Sequence, residues 1–224
     1  MTLAVRSISC AAALFLVFSA AQPQQKVKKE EDKATKMEKV KEVGVIETSM
    51  GTFEVEFYRN DAPKTVENFV KLASEKFFDG MRVHRVSKDF VIQAGDDKSK
   101  DPKKVDEWGT GGKSIWGKAF EDELNPNTPS YKEGYKKGVL AMANAGKNTN
   151  TSQFFVMLQD RPNMPKNYTI FGKVIKGQDV VDAIGRVEII PGQMGPTDGR
   201  PKTDVMIKRV TIKKVPSPAP EEKK

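Results

Sequence analysis

The chain has 224 residues, with 38 Lys+Arg, 30 Asp+Glu, one Cys and one His, a length that suits one or two domains. A single Cys and a single His exclude an intramolecular disulfide, a Cys/His zinc site and a His-rich metal centre. The formal net charge of +8 divides into +1 at Arg6, +2 over residues 22–42, +2 over residues 213–224 and only +3 over the rest, so most of the excess lies in solvated mixed-sign runs and no nucleic-acid partner is expected.

Residues 1–21, MTLAVRSISCAAALFLVFSAA, carry a basic residue near the start, an apolar run from Ile8 to Phe18 and small residues up to Ala21. That is the plan of a secretory signal, and the run is too short for a stable membrane span, which needs about 20 residues. Cleavage after Ala21 would remove Cys10, leaving a mature chain without a thiol in a periplasmic or extracellular setting. Residues 22–42 are too polar to build a buried face and read as a charged flexible linker, with a Glu–Lys-paired helix as the alternative. A globular domain is expected over 43–215, followed by a disordered tail at 216–224.

From Val43 the pattern has period two. VGVIET and TFEVEFY flank Ser49-Met50-Gly51, which predicts a β-hairpin. In DAPKTVENFVKLASEKFF, Pro63 suits a first helical turn and Val66, Phe69, Val70, Ala73 and Phe77 recur at helical spacing. Short apolar runs follow, MRVHRV, FVIQAG, GVLAMAN, QFFVML, YTIFGKV, VEIIPG and DVMIKRVTIK, each bounded by turn residues; among them only VIKGQDVVDAIGRV reads as a helix. Many short strands with two helices predict an all-β barrel or sandwich, and a closed barrel leaves no edge to protect. Gly109 to Ser114 ends in the GKS of a phosphate-binding loop, but Glu107 stands where that loop needs Gly, so no nucleotide site is expected.

Four segments in order, Val83-His84-Arg85-Val86, Asp89 to Asp96, Gly109 to Ser114, and Met142-Ala143-Asn144-Ala145-Gly146 leading to Ser152-Gln153-Phe154-Phe155, strongly resemble the cyclophilins. Tyr168 to Val174 completes the match, which covers essentially all of 43–215. The resemblance implies a closed antiparallel β-barrel capped by two α-helices, peptidyl-prolyl cis/trans isomerase activity at a groove on its outer face, and no cofactor or metal. It makes Arg85 and Gln93 the catalytic candidates. Phe90, Val91, Phe155, Met164 and Tyr168 would form a slot for the proline ring, with Ala143 and Asn144 beside the peptide backbone. Tyr168, Met164 and Asn163 stand where the best-known eukaryotic members have His, Leu and Trp, which implies a bacterial-like member with a differently shaped pocket, exported if the leader at 1–21 is a signal.

The chemistry suits these residue types. An X–Pro bond resists rotation by about 18–20 kcal/mol because its C–N bond has partial double-bond character. Twisting returns a lone pair to the proline nitrogen, and a permanently charged donor such as Arg85 binds that state better than the planar one. His84 precedes Arg85 and is expected on the other side of the strand as a structural hydrogen-bonding residue, with Gln153 a support behind the site. Residues 97–108 form a polar loop without an assigned role. The expected partners are proline-containing polypeptides met by a monomer; the alternative function is a proline-peptide-binding module or holdase with little turnover.

Overall fold

The computed structural model describes residues 40–216. The signal peptide read at 1–21, the linker up to residue 39 and the tail from residue 217 lie outside the described residues. Ten antiparallel strands form one sheet. They are β1 (Val40–Thr48), β2 (Gly51–Phe57), β3 (Arg85–Ser87), β4 (Val91–Ala94), β5 (Val139–Met142), β6 (Phe154–Met157), β7 (Ile170–Lys176), β8 (Ile189–Gly192), β9 (Gly195–Pro201) and β10 (Ile207–Pro216). Their spatial order is β10-β1-β2-β7-β5-β6-β4-β3-β9-β8.

Two further hydrogen bonds bring the ladder round on itself. Val83 N donates to Val205 O (2.8 Å) and Ile207 N to Met81 O (2.7 Å), about a bridge between Arg82 and Met206. The run into β3 thus meets the run into β10, and β8–β9 is left as a hairpin outside the ring. This is the expected all-β barrel. Among the described residues, no helix is long and apolar enough to cross a membrane.

The first hairpin turns where predicted: Thr48 pairs with Gly51, and the Thr48 hydroxyl donates to Gly51 O (2.8 Å) while accepting from Met50 N (3.1 Å). Its first strand starts earlier than the sequence pattern, at Val40, because Val40–Glu42 pair with Lys214–Pro216. Helix α1 (Pro63–Ser74) opens on Pro63, and its first amides are met by a distant carboxylate: Lys64 N and Thr65 N donate to Glu123 at 3.0 and 2.9 Å. It buries Val66, Phe69 and Leu72. Helix α2 (Pro129–Glu133) is a single short turn not foreseen in the sequence.

Helix α3 (Gln178–Gly185) is shorter than the predicted helix, since Val174-Ile175-Lys176 belong to β7 and Gly177, at φ 77°, breaks the chain between them. There a side chain would also meet Thr52 O at 2.5 Å. Strand β9 was not expected either: GPTDGRP carries the residues of a turn, and only its pairing with β3 and β8 extends it.

Alternation along the strands sorts the apolar residues into two clusters. Val86, Ile92, Leu140, Phe154, Val156 and Phe171 face inward, and α1 and α3 add Val66, Phe69, Leu72, Val181 and Ile184 to the same core. Val91, Tyr135, Val139, Ala141, Phe155, Met157 and Ile170 make a separate cluster, edged by Tyr58, Phe90, Ala143, Met164 and Tyr168. This second cluster lies on the barrel's outer face.

Candidate functional site

The strand register places the outer-face residues in a row. Arg85 pairs with Gln93, Gln93 with Phe155, Phe155 with Ala141 and Ala141 with Ile170, so one line crosses β3, β4, β6, β5 and β7. The row is polar at the β3 end and apolar beyond it. Phe155 (5% exposed) lies edge-to-face with Tyr168 at 5.5 Å between ring centres, and Val91, Phe90 and Met164 complete the apolar slot. The Arg161 guanidinium, 5.6 Å from the Phe90 ring centre, covers one wall.

Arg85 is held on three sides. Its Nε donates to both Asp198 oxygens (3.1 and 3.0 Å), its NH2 group to Asp198 Oδ2 (2.7 Å) and its NH1 group to Gln93 Oε1 (3.0 Å). Gln93 Nε2 donates to Gln153 Oε1 (3.0 Å), and Gln153 Nε2 to the carbonyls of Gly109 (3.0 Å) and Gly111 (2.7 Å). A continuous chain of side chains thus runs from Asp198 through the guanidinium to the glycine loop. Burial pushes the Asp198 carboxyl up, but hydrogen bonds from Arg85 and Ser87 outweigh it and hold the group below the usual carboxylate range.

The glycine loop differs from a phosphate-binding loop in its hydrogen bonding. Gly109 N donates to Asp96 and Gly112 N to Asp97 Oδ1 (2.7 Å), so the protein's own carboxylates take amides that an anion would need. A side chain at Gly111 would meet Asp96 Oδ1 at 2.2 Å.

A model of the family described as cyclophilin type peptidyl-prolyl cis-trans isomerase/CLD matches residues 43–212. The chain belongs to the cyclophilins. It is 43% identical to a peptidyl-prolyl cis-trans isomerase-like 1 of Neurospora crassa over 169 residues, 75% of this chain and 91% of that one. It is 42% identical to its human namesake over 172 residues, 77% of this chain and 90% of that one. A crystal structure of a Cryptosporidium parvum cyclophilin, determined in the presence of the dipeptide Ala-Pro, has a TM-score of 0.66 at 29% identity and covers 76% of this chain and 98% of its own. These relatives are eukaryotic. The protein is a peptidyl-prolyl cis-trans isomerase and acts on proline-containing polypeptides.

On this cyclophilin's outer face the structure brings together Arg85, Gln93, Phe90, Val91, Phe155, Met164 and Tyr168. Asn144 and Ala143 follow β5, where Ala143 N donates to the O of Gln153 (2.9 Å), the residue that holds Gln93, and Ala143 edges the same outer cluster as Phe90, Met164 and Tyr168. Asn144 Nδ2 donates to Asn167 O (3.0 Å), and the residue opens on a separate recess of about 730 Å³ shared with Tyr168. His84 is buried (7% exposed), and among the described residues neither ring nitrogen has a partner in good hydrogen-bond geometry. Burial pushes its pKa down to about 4, and Arg85 adds to this against the opposite pull of Asp96 and Gln153.

Two contributors were invisible in the sequence. Asp198 lies 113 residues from Arg85 in a stretch without strand character. Tyr135 lies beneath the slot, where its hydroxyl donates to Tyr168 O and accepts from Tyr168 N, both at 2.9 Å. Neither stands in a motif; only a period-two reading of residues 195–201 could have put Asp198 on a strand.

Proposed function

We propose that Arg85 carries the isomerisation, by donating to the proline nitrogen as the X–Pro amide twists while the apolar slot holds the ring. One observation supports this above the others: the guanidinium is fixed by Asp198 and Gln93 at the polar end of the row that continues into Phe155. Four of its five N–H groups are engaged, the fourth by Met194 Sδ (3.7 Å), and the one left, on the NH1 group, is aimed by the rest. A donor oriented beforehand needs no reorganisation when the lone pair develops. Gln93 orients Arg85, and Gln153 holds Gln93. No proton changes hands in this scheme.

The clients we infer are exported polypeptides, with this chain a bacterial-like exported monomer tethered through residues 22–39, since Val40–Glu42 of the linker read in the sequence belong to β1. The support is the signal-like leader at 1–21 and Tyr168 at the rim. Intact mass of the protein recovered from the exported fraction tests the leader: a chain still carrying residues 1–21 rejects this part of the reading.

Isomerisation of a short X–Pro peptide, followed by exchange spectroscopy, tests the site. Arg85→Ala removes a charged hydrogen bond worth about 1.5–3 kcal/mol, so kcat/KM falls about 10-fold to 100-fold with the fold retained. Turnover at the wild-type rate in a folded Arg85→Ala protein would reject Arg85 as the catalytic residue. Tight binding of proline peptides without turnover by the wild type would favour a binding module instead.

A further inference from the structure

We propose that the cleft between the 97–108 segment and the β8–β9 hairpin is a specificity subsite that takes an apolar client residue flanking the X–Pro bond. The proposal rests on the Arg85 reading above and extends it to the other side of Arg85. The cleft has a volume of about 440 Å³, within the range of about 300–1,000 Å³ typical of clefts that enclose a small ligand. Arg85 and Gln93 line it as well as the row, so the two spaces are continuous. In the sheet order it lies where β9 flanks β3, while Phe155 and the proline slot lie beyond β4.

Its two walls differ in a way that suits an adaptable apolar contact. Val105 and Trp108 form one wall, and Trp108 is pinned by the bond from its Nε1 to Asp101 O (3.1 Å) and by the Arg82 guanidinium 5.5 Å from its ring centre. The other wall carries Ile190 and Met194, which are 39% and 74% exposed. Met194 is the most exposed large apolar side chain among the described residues. Apolar surface held in water along a cleft gains by being covered, and methionine moulds itself to differing partners.

Continuity with Arg85 settles the occupant. A polypeptide with its X–Pro bond at Arg85 must leave the site in two directions, and with about 3.3 Å per extended residue one or two residues reach the neighbouring strand. Arg200 at the edge of the cleft disfavours a basic residue there.

The test uses the full chain and two peptide series built on Ala-Pro, in which the flanking residue on the amino or the carboxyl side is Ala, Leu or Lys. On one flank, Leu should raise kcat/KM about tenfold over Ala, mainly through KM, and Lys should lower it. In a folded Val105→Ser/Ile190→Ser variant the Leu-to-Ala ratio should fall towards one, each variant being judged by its own ratio. A ratio near one on both flanks of the wild type, or an undiminished ratio in the variant, overturns the subsite while turnover of the Ala peptide upholds the isomerase site. No turnover of any peptide by the wild type overturns the Arg85 reading, and the subsite with it.

Discussion

Asp198 and Arg85 form a bidentate pair at the end of the outer-face row, and the carboxylate affects the guanidinium in two opposed ways. It reduces the positive charge offered to a substrate, and it fixes the direction of the remaining N–H group. A misplaced donor loses most of its bond energy, because hydrogen bonds weaken steeply with angle, so we expect the orienting effect to dominate. Asp198→Ala should lower kcat roughly 3- to 10-fold with KM little changed, and Asp198→Asn, which keeps an acceptor, should fall in between. Unchanged kcat in Asp198→Ala would show that Gln93 alone suffices.

His84 raises a different matter, since its buried ring stays neutral down to about pH 4 whereas an unfolded chain protonates histidine near 6.5. Between those values the unfolded state binds a proton that the folded state refuses. The contribution to stability is therefore complete above pH 6.5 and is lost as pH falls towards 4, by about 1.4 kcal/mol per pH unit and about 3 kcal/mol in all. Denaturant unfolding of wild type and His84→Leu across pH 7 to 4 should diverge in slope by that amount; parallel curves would mean that the ring is paired or hydrated. Turnover itself should stay flat from pH 6 to 8, well above the range in which His84 titrates.

Among the elements, those legible in the sequence were the ones whose burial leaves a pattern along the chain. TFEVEFY buries one face, and period two records that, whereas FVIQAG, QFFVML and YTIFGKV are apolar runs closed by turn residues because one face enters the core and the other the outer cluster. Strand β9 and the 97–108 segment were not legible because their order comes from elsewhere. Two 3-10 turns, Asp97–Lys100 and Pro102–Glu107, start on the side chains of Asp96 and Asp101. Arg82 then ties the segment down: its NH1 group donates to Ser99 O (2.7 Å) and Lys100 O (2.9 Å), its Nε to Asp204 (2.5 Å), and it stacks on Trp108. The site residues inside motifs were likewise readable, whereas Asp198 and Tyr135 depend on long-range pairing. Arg82→Ala should raise amide exchange over 97–108 about 10-fold or more while β4 to β6 keep their protection. Equal protection in the variant would show that the caps alone order the segment.

For the molecule as a whole, the sheet separates two tasks: its inner face supplies cohesion and its outer face supplies the site. Phe69 is central to the first, with ring centres of Phe57, Phe78, Phe154 and Phe171 at 4.8 to 5.5 Å. Phe69→Ala should reduce stability by about 3–5 kcal/mol, a large part of the about 5–15 kcal/mol of an ordinary domain. Turnover per folded molecule should hardly change. Equilibrium unfolding beside kinetics corrected for the folded fraction checks both, and a fall in corrected kcat would show that the two faces are coupled.

The pairing of β1 with β10 has a consequence in time. Val40 to Thr48 is bonded along its length to Ile207–Pro216, the last strand in chain order among the described residues. Until that strand arrives, β1 keeps an open edge and the ring cannot close through Met81–Val83 and Val205–Ile207. A nascent chain therefore holds an incomplete ring over most of residues 40–216. The row from Arg85 to Ile170, whose strands lie inside that ring, reaches its final setting only after residue 216 has emerged. This catalyst of proline turnover becomes competent late in its own biogenesis.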